Sequence, residues 1–472
     1  MKKILFYISF CFLFTACKKF TEITPKGSNI LNRVTDLDLL LNYNFTAGDA
    51  NSAQAAFSVY DVGNLVNDTY AYSTNIPSLI SSKTQTLNYA YTVYDESVDR
   101  KTLAVTDTKY EKMYFIINNI CNVIISNADM AAGDRTQANQ YKAEAYILRA
   151  YMHYLLVNLY AKAYNPATAA DDEGIPYVTE TNVITDANVK SSVAQVYDHI
   201  RADIDAALAL NSLPQKPANN MRVGLGFAYA VKAVVALTVR NYTDALAAAN
   251  QSLAINNTIN DDRLFAPVGT TPFNKPILTA SENLFYMAQG GNPLISTPSL
   301  EMTNNIYEPG NIINSYVKPY YNMGNPFSGI PDSKLWLATG VTWAVNTAGL
   351  TTSDTYLIKA ECLARTGKLS EALDIINQIR VRRIHPNTYT AATANTEAGV
   401  MQVSMRTARI EFLYTMRSFL NIKRWNTEDA YKQTISRTVN GVSYTLQPNS
   451  SLYIFPFPQS ATNYNSHLTQ NY

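Results

Sequence analysis

Histidine is scarce in this chain: there are four in 472 residues, at His153, His199, His385 and His467, and each stands alone. No HExxH, GxSxG, Walker-type or GxGxxG motif occurs, so local signatures of zinc hydrolysis, serine hydrolysis and nucleotide binding are missing. Charge is sparse too, at 16% of residues, and nearly balanced at 38 basic against 37 acidic side chains. A duplex or single strand of nucleic acid is held by many Lys and Arg contacts to phosphate, and this balance excludes it as a partner. An electrostatic membrane patch is excluded on the same ground. Of the four cysteines, Cys121 and Cys362 lie in helical-looking segments without CxxC or Cys/His spacing, and they read as buried free thiols. The acidic run Asp171-Asp172-Glu173 lacks the alternating oxygens of a calcium loop and reads as a solvated turn.

Long apolar runs are also absent, with one short exception at the start. Lys2 and Lys3 precede the apolar stretch Ile4 to Phe14, and Thr15-Ala16-Cys17 follows at once. This is the pattern of a secretory signal, too short to span a bilayer. The small Ala16 before Cys17 resembles the bacterial lipobox, with Phe14 where Leu is usual. The expectation is cleavage after residue 16 and acylation of Cys17. Each buried methylene adds about 0.8 kcal/mol of membrane affinity, so more than one acyl chain anchors a protein stably. No other membrane contact is required.

Apolar positions recur at helical spacing in three stripes: Tyr110, Tyr114, Ile117, Cys121 and Ile124; Tyr141, Ala145, Leu148, Met152, Leu155 and Leu159; Val193, Tyr197, Ile200, Ile204 and Leu208. Two further windows, near 224–256 and 353–383, superimpose with a single offset. Tyr229 then meets Tyr356, Lys232 meets Lys359, Ala233 meets Ala360, Asp244 meets Glu371 and Ala245 meets Ala372. Each copy puts one alanine on each helix of a hairpin, where two backbones approach closely, as in a tetratricopeptide unit. The expected fold class is mostly all-α, with tetratricopeptide-like hairpins as scaffold, few short strands, and long loop-like insertions near 61–106 and 265–352. Residues 17–472 form a single domain in this reading. The second insertion is rich in proline, which excludes long helices there.

Read in order, several segments resemble the SusD/RagB family of nutrient-binding outer-membrane lipoproteins. They are CKKFTEITPKG at the start; the helix with Glu144, Leu148, Arg149 and Ala150 and the Gly174-Ile175-Pro176 loop after it; the second hairpin's Asn377, Ile379, Arg380 and Arg382; the Arg-rich helix with Glu411, Arg417, Arg424 and Trp425; and the closing FPFPQ and QNY. Thr415-Met416 replaces a usual Glu-Gly, and Asn421 stands where Asp is common. The resemblance implies a surface-facing protein of the cell outer membrane that binds oligosaccharides or peptides and delivers them to a partner TonB-dependent transporter. It implies no cofactor, no metal and no covalent chemistry. Two other readings stand beside it: an envelope scaffold whose repeats hold another protein, and a glycan-cleaving enzyme whose carboxylates are assembled from distant positions.

Sugars present apolar C–H faces and hydroxyl rims, so a glycan site wants aromatic platforms beside amides or carboxylates. The two insertions supply both. Tyr70, Tyr72, Tyr307, Tyr320, Tyr321 and Trp336 are the candidate platforms, with Asn67, Asp68 and Asn322 as hydrogen-bonding neighbours. Trp425 reads as core. Replacing Cys17→Ala is expected to abolish acylation. Metabolic labelling with a fatty-acid analogue should show no lipid on the variant, and a variant still labelled would put the anchor elsewhere.

Overall fold

The computed structural model describes residues 31–45, 57–71, 74–179, 187–266, 278–288, 297–319, 328–336 and 346–472, with backbone alone for 316–319 and 335–336. Cys17, Tyr72, Tyr320, Tyr321, Asn322 and the Trp336 side chain lie outside the described parts. The helices are α1 (Val34–Leu41), α2 (Tyr60–Leu65), α3 (Ile76–Ser82), α4 (Leu87–Val93), α5 (Arg100–Leu103), α6 (Thr108–Ile116), α7 (Asn122–Asn127), α8 (Arg135–Tyr160), α9 (Val193–Ala209), α10 (Leu225–Thr238), α11 (Tyr242–Ile255), α12 (Ile313–Tyr316), α13 (Thr352–Arg365), α14 (Leu369–Arg380), α15 (Glu397–Glu411), α16 (Met416–Trp425) and α17 (Gln459–Thr462). Strands β1 (Asn283–Phe285), β2 (Val317–Pro319), β3 (Lys334–Trp336), β4 (Leu350–Thr351), β5 (Ile435–Val439) and β6 (Val442–Leu446) make three separate antiparallel pairs, β1 with β4, β2 with β3 and β5 with β6. The expected mostly helical class with few short strands is what the chain adopts.

Helix α8 is the centre. Asp134 caps it by accepting from the Thr136 amide at 2.7 Å. From Ile147 to Tyr160 every side chain is buried, so the helix is covered on all sides. Its inward polar residues are all partnered. Arg149 pairs with Asp203 of α9 at 2.6 Å, Glu144 with Arg222 at 2.8 Å, and the Asn158 amide donates to the Tyr197 hydroxyl at 2.9 Å. At the C-terminal end, where carbonyls lack helical partners, Lys423 of α16 donates to the oxygens of Asn158 and Ala161, each at 2.6 Å. The stripe from Tyr110 to Ile124 is continuous helix, but it contains a π-helical turn at Ile117–Cys121 between α6 and α7. Cys121 and Cys362 are buried and unbonded.

The repeated windows form two hairpins, α10/α11 and α13/α14. Ala233, Ala245, Ala360 and Ala372 are all 0% exposed, the close approach that small residues permit. The hairpins also stack on each other: Ala233, Ala236, Ala245 and Ala248 share one apolar cluster with Ile358 and Cys362. The chain thus brings its two repeat copies together across the insertion that separates them.

One stretch differs from expectation. Residues 61–106, read as loop-like, carry α2 to α5. Asn75, Thr86 and Asp99 cap α3, α4 and α5 by accepting from the amides of Ser78, Tyr89 and Thr102. None is longer than 7 residues, too short for a helical period to show in sequence. In the other insertion the described residues carry only short elements: the strands β1 to β4, a π-helical turn at Met302–Ile306 and α12.

The His153 imidazole, buried in α8, gives a pH handle. His153 Nδ1 lies 2.9 Å from the Arg149 carbonyl oxygen and must donate to it, while Nε2 accepts from the Val178 amide at 3.1 Å. A second proton would set Nε2–H against that amide. Burial, with Arg149 and His199 adding repulsion, pulls the imidazole down to about 3 from 6.5. Below about pH 6.5 the unfolded chain therefore binds the extra proton, and stability falls with pH by up to roughly 1.4 kcal/mol per unit. Above that pH the contribution is fully present. His153→Gln is expected to flatten the fall of Tm between about pH 6.5 and 4.5. An unchanged slope in the variant, by calorimetric melting, would refute the assignment.

Candidate functional site

The two insertions, far apart in sequence, meet as paired backbone. After α2 the chain reverses at Asn67, whose φ is 55°, and the amides of Asp68 and Thr69 both donate to the Gly63 carbonyl. It then runs extended beside 297–299: the Tyr70 amide donates to Thr297 O at 2.8 Å and the Ser299 amide to Asp68 O at 2.9 Å. Further on, the Ile76 amide donates to Ser328 O at 2.7 Å. Gly329 makes this possible, because a Cβ there would stand 2.2 Å from the Asn75 amide nitrogen and its φ is +66°. Tyr70, Ala71, Ile76, Ile330 and Val439 pack as one small core beneath these contacts.

The β5–β6 hairpin closes the same face. Its turn is Asn440-Gly441, with φ of 50° and 79°, the backbone a two-residue hairpin needs. Alternation then turns Ile435, Arg437 and Val439 inward. Arg437 donates to Asn67 Oδ1 at 3.0 Å, Thr92 O at 2.9 Å and Asn64 O at 2.5 Å, and Asn67 donates back to Ser436 O at 2.8 Å. The guanidinium also lies 5.9 Å from the Tyr70 ring centre and 5.4 Å from that of Tyr94. Beneath, Asp68 receives Arg409 Nε at 3.1 Å and Nη2 at 2.5 Å, and the Ser418 hydroxyl.

Four of the candidate residues are therefore turned inward. Asn67 and Asp68 are 3% and 2% exposed and are occupied by Arg437, Ser436, Arg409 and Ser418. Tyr70 is 3% exposed, and its hydroxyl accepts from the Leu300 amide at 3.1 Å. Burial raises the Tyr70 pKa, with the Leu300 bond and the Arg437 charge opposing. Tyr307 is 5% exposed; burial, reinforced by the Asp68 charge, holds its hydroxyl well above the usual range. These side chains brace the face from inside. Trp336 is placed by its backbone, paired with Val317 across β2–β3.

Sequence reasoning passed over Arg409, Ser418 and Arg437. The Asn-Gly pair flanked by alternating residues was a legible hairpin signal and would have pointed Arg437 inward. Nothing local marks Arg409 or Ser418. Among the described residues, no group of three or more His, Cys, Asp or Glu side chains is placed to hold a metal ion.

Two family profiles match the chain: one described as "SusD family" over residues 345–472, the other as "Starch-binding associating with outer membrane" over residues 46–237. No curated protein matches. Among solved structures, a SusD superfamily protein from Bacteroides thetaiotaomicron is similar over 93% of this chain and 100% of its own, at 18% identity and a TM-score of 0.69. A SusD-like carbohydrate binding protein from Bacteroides vulgatus matches 93% of this chain and 98% of its own, with 16% identity and a TM-score of 0.69. A putative sugar binding protein from the same species matches 94% and 99%, with 16% identity and a TM-score of 0.67. At such identities the likeness is one of fold.

Asp68→Ala would leave Arg409 buried without its carboxylate, and the expected loss is about 3–5 kcal/mol of unfolding free energy. Denaturant titration reads it directly. A loss below about 1 kcal/mol, the worth of a surface pair, would show that this ion pair does not hold the face together.

Proposed function

The chain belongs to the SusD/RagB family, and we propose that it is an outer-membrane lipoprotein that binds oligosaccharides and passes them to a TonB-dependent transporter. The observation that carries the reading is the backbone pairing of 68–70 with 297–299, backed by Arg437 and by Asp68 with Arg409. It makes a stiff base from which both aromatic-rich insertions continue. Tyr72 follows Ala71 directly, and Tyr320, Tyr321 and Asn322 follow the last residue of β2. A preorganised base lowers the ordering cost of a platform that must receive flat sugar faces.

In this reading Tyr72, Tyr320, Tyr321 and Trp336 supply platforms and Asn322 a hydrogen-bonding amide, while Asn67, Asp68, Tyr70 and Tyr307 hold the base in place. The outer-membrane wording of one family profile, and the sugar- and carbohydrate-binding names of two structural neighbours, favour a glycan over a peptide. Among the described residues no helix is long and apolar enough to cross a membrane; in this reading acylated Cys17 holds the chain on the membrane. The protein binds and releases its ligand, and no bond is made or broken.

Calorimetric titration of the chain from residue 18 against a panel of oligosaccharides and peptides tests this. One glycan class is expected to bind without turnover, and Tyr320→Ala with Tyr321→Ala should weaken it by roughly tenfold or more, about 1.4 kcal/mol, with Tm unchanged. A fall in Tm with binding intact would place the two rings in structure and not in the site. Binding of peptides alone would replace the glycan by a peptide, and silence across the panel would favour the scaffold.

A further inference from the structure

An open groove of about 350 Å³ lies between α15, the π-helical turn Met302–Ile306 and residues 430–433. Buried Met405 and Tyr431 are among the residues lining it, and exposed Gln402, Arg406 and Lys432 stand on its walls, with Arg409 also lining it. It adjoins the face described above, because Arg409 is the residue that grips Asp68 and Arg406 donates to the Tyr307 carbonyl at 3.3 Å.

The charges of this groove are unequal in a way that favours one kind of ligand. Among the described residues no Asp or Glu lines it. Arg406 donates to three neutral acceptors, Ile306 O at 2.8 Å, Tyr307 O at 3.3 Å and Asn305 O at 3.4 Å, so its positive charge has no counter-ion there. Arg409 spends Nε and Nη2 on Asp68 and Val66 O. The Nη1 of both guanidiniums makes no hydrogen bond among the described residues. Among the described residues Lys432 pairs with Asp429 alone, at 2.9 Å, and both side chains are more than half exposed (51% and 97%), a pairing that water and salt screen. Two carboxylates stand behind the lining and are bonded to it, Glu397 accepting from the Tyr431 hydroxyl at 2.6 Å and Glu301 from the Asn305 amide at 2.6 Å, and Glu397 also lies 3.6 Å from Arg365. The groove between α9 and α10 is the contrast, since Asp198, Asp205 and Asp244 line it beside Arg201 and Lys232, and cations and anions neutralise one another.

Free guanidinium donors suit an anion, and a thioether beside a phenol ring suits the C–H face of a sugar ring. We infer that this groove receives a carboxylate- or sulfate-bearing sugar unit, so that the glycan recognised by this chain is an acidic oligosaccharide. This rests on the glycan-binding reading and narrows it to a ligand class. Arg406 and Arg409 present Nη1 to the acid group, Lys432 adds charge at the mouth, and the rest of the oligosaccharide extends toward the adjoining face.

The test is calorimetry on the chain from residue 18 with ligands in matched pairs: uronic-acid oligosaccharides against their carboxyl-reduced forms, and sulfated oligosaccharides against their desulfated forms. At least one acidic form is expected to bind roughly tenfold tighter than its neutral counterpart, with the gap shrinking as salt rises. Which pair shows the gap tells carboxylate from sulfate. Arg406→Gln with Lys432→Gln should close that gap while the neutral forms bind as before, with a modest fall in Tm from the bonds Arg406 gives up to the carbonyls of Asn305, Ile306 and Tyr307. Equal binding of both members of every pair, a gap that survives in the double variant, or binding of acidic peptides in place of glycans would each overturn the inference. If neutral glycans bind without any acidic preference, this inference falls and the glycan reading stands; if no glycan binds in either form, both fall.

Discussion

Buried guanidinium–carboxylate pairs are the constraint on which the rest of this architecture depends. Arg149–Asp203, Arg222–Glu144, Arg409–Asp68, Arg417–Asp354 and Arg424–Glu361 are each almost fully removed from water, at 2.5 to 2.8 Å. Each joins segments that are distant in the chain. Such a pair gains little over a well-packed apolar contact, but removing one partner strands a charge, so it penalises every alternative packing. The balance differs from pair to pair. For Glu361, burial pushes the carboxyl up, yet Arg424 and Arg365 outweigh it and hold it below its ordinary value. For Asp354, burial wins over Arg417 and raises it.

Within that frame the molecule divides its labour. The stacked hairpins α10/α11 and α13/α14 use alanine to bring backbones close and leave little free volume to deform. The pairing of the inserted segments at 68–70 and 297–299 joins pieces that carry aromatic residues on either side, and Arg409 links this pairing to the cationic groove against α15. In the proposed reading, recognition rests on segments pinned from below by charge.

Long elements were legible because period and length reinforce each other. The stripe from Tyr141 to Leu159 reappears as α8 and the one from Val193 to Leu208 as α9. The alanine matches were legible because close approach leaves a residue-size signature. The short helices between Ile76 and Leu103 show no period at their length. Tyr70 and Tyr307 are buried, which their type could not reveal, because residue type encodes a ring's chemistry, while its exposure is decided by partners that arrive from far away, Leu300 for one and the Asp68 neighbourhood for the other. The hairpin at Asn440-Gly441 was readable and its consequence, an inward Arg437, followed from strand alternation alone.

Residues 455–472 are stitched into α5, the end of α8 and the loop after it. Phe455 donates its amide to Leu159 O at 2.9 Å, Asn471 donates to the carbonyls of Tyr160 and Gly174 at 2.8 Å each, and Arg100 lies 3.8 Å from the centre of the Tyr472 ring. The same is true of Arg437 on Asn64 and Arg409 on Asp68. A polypeptide emerging from its N-terminus first cannot satisfy α5, the C-terminal end of α8 or the segment after α2 until its last residues appear. The domain then closes late and through contacts of long sequence separation, which is slow and leaves strand edges and apolar surface open meanwhile.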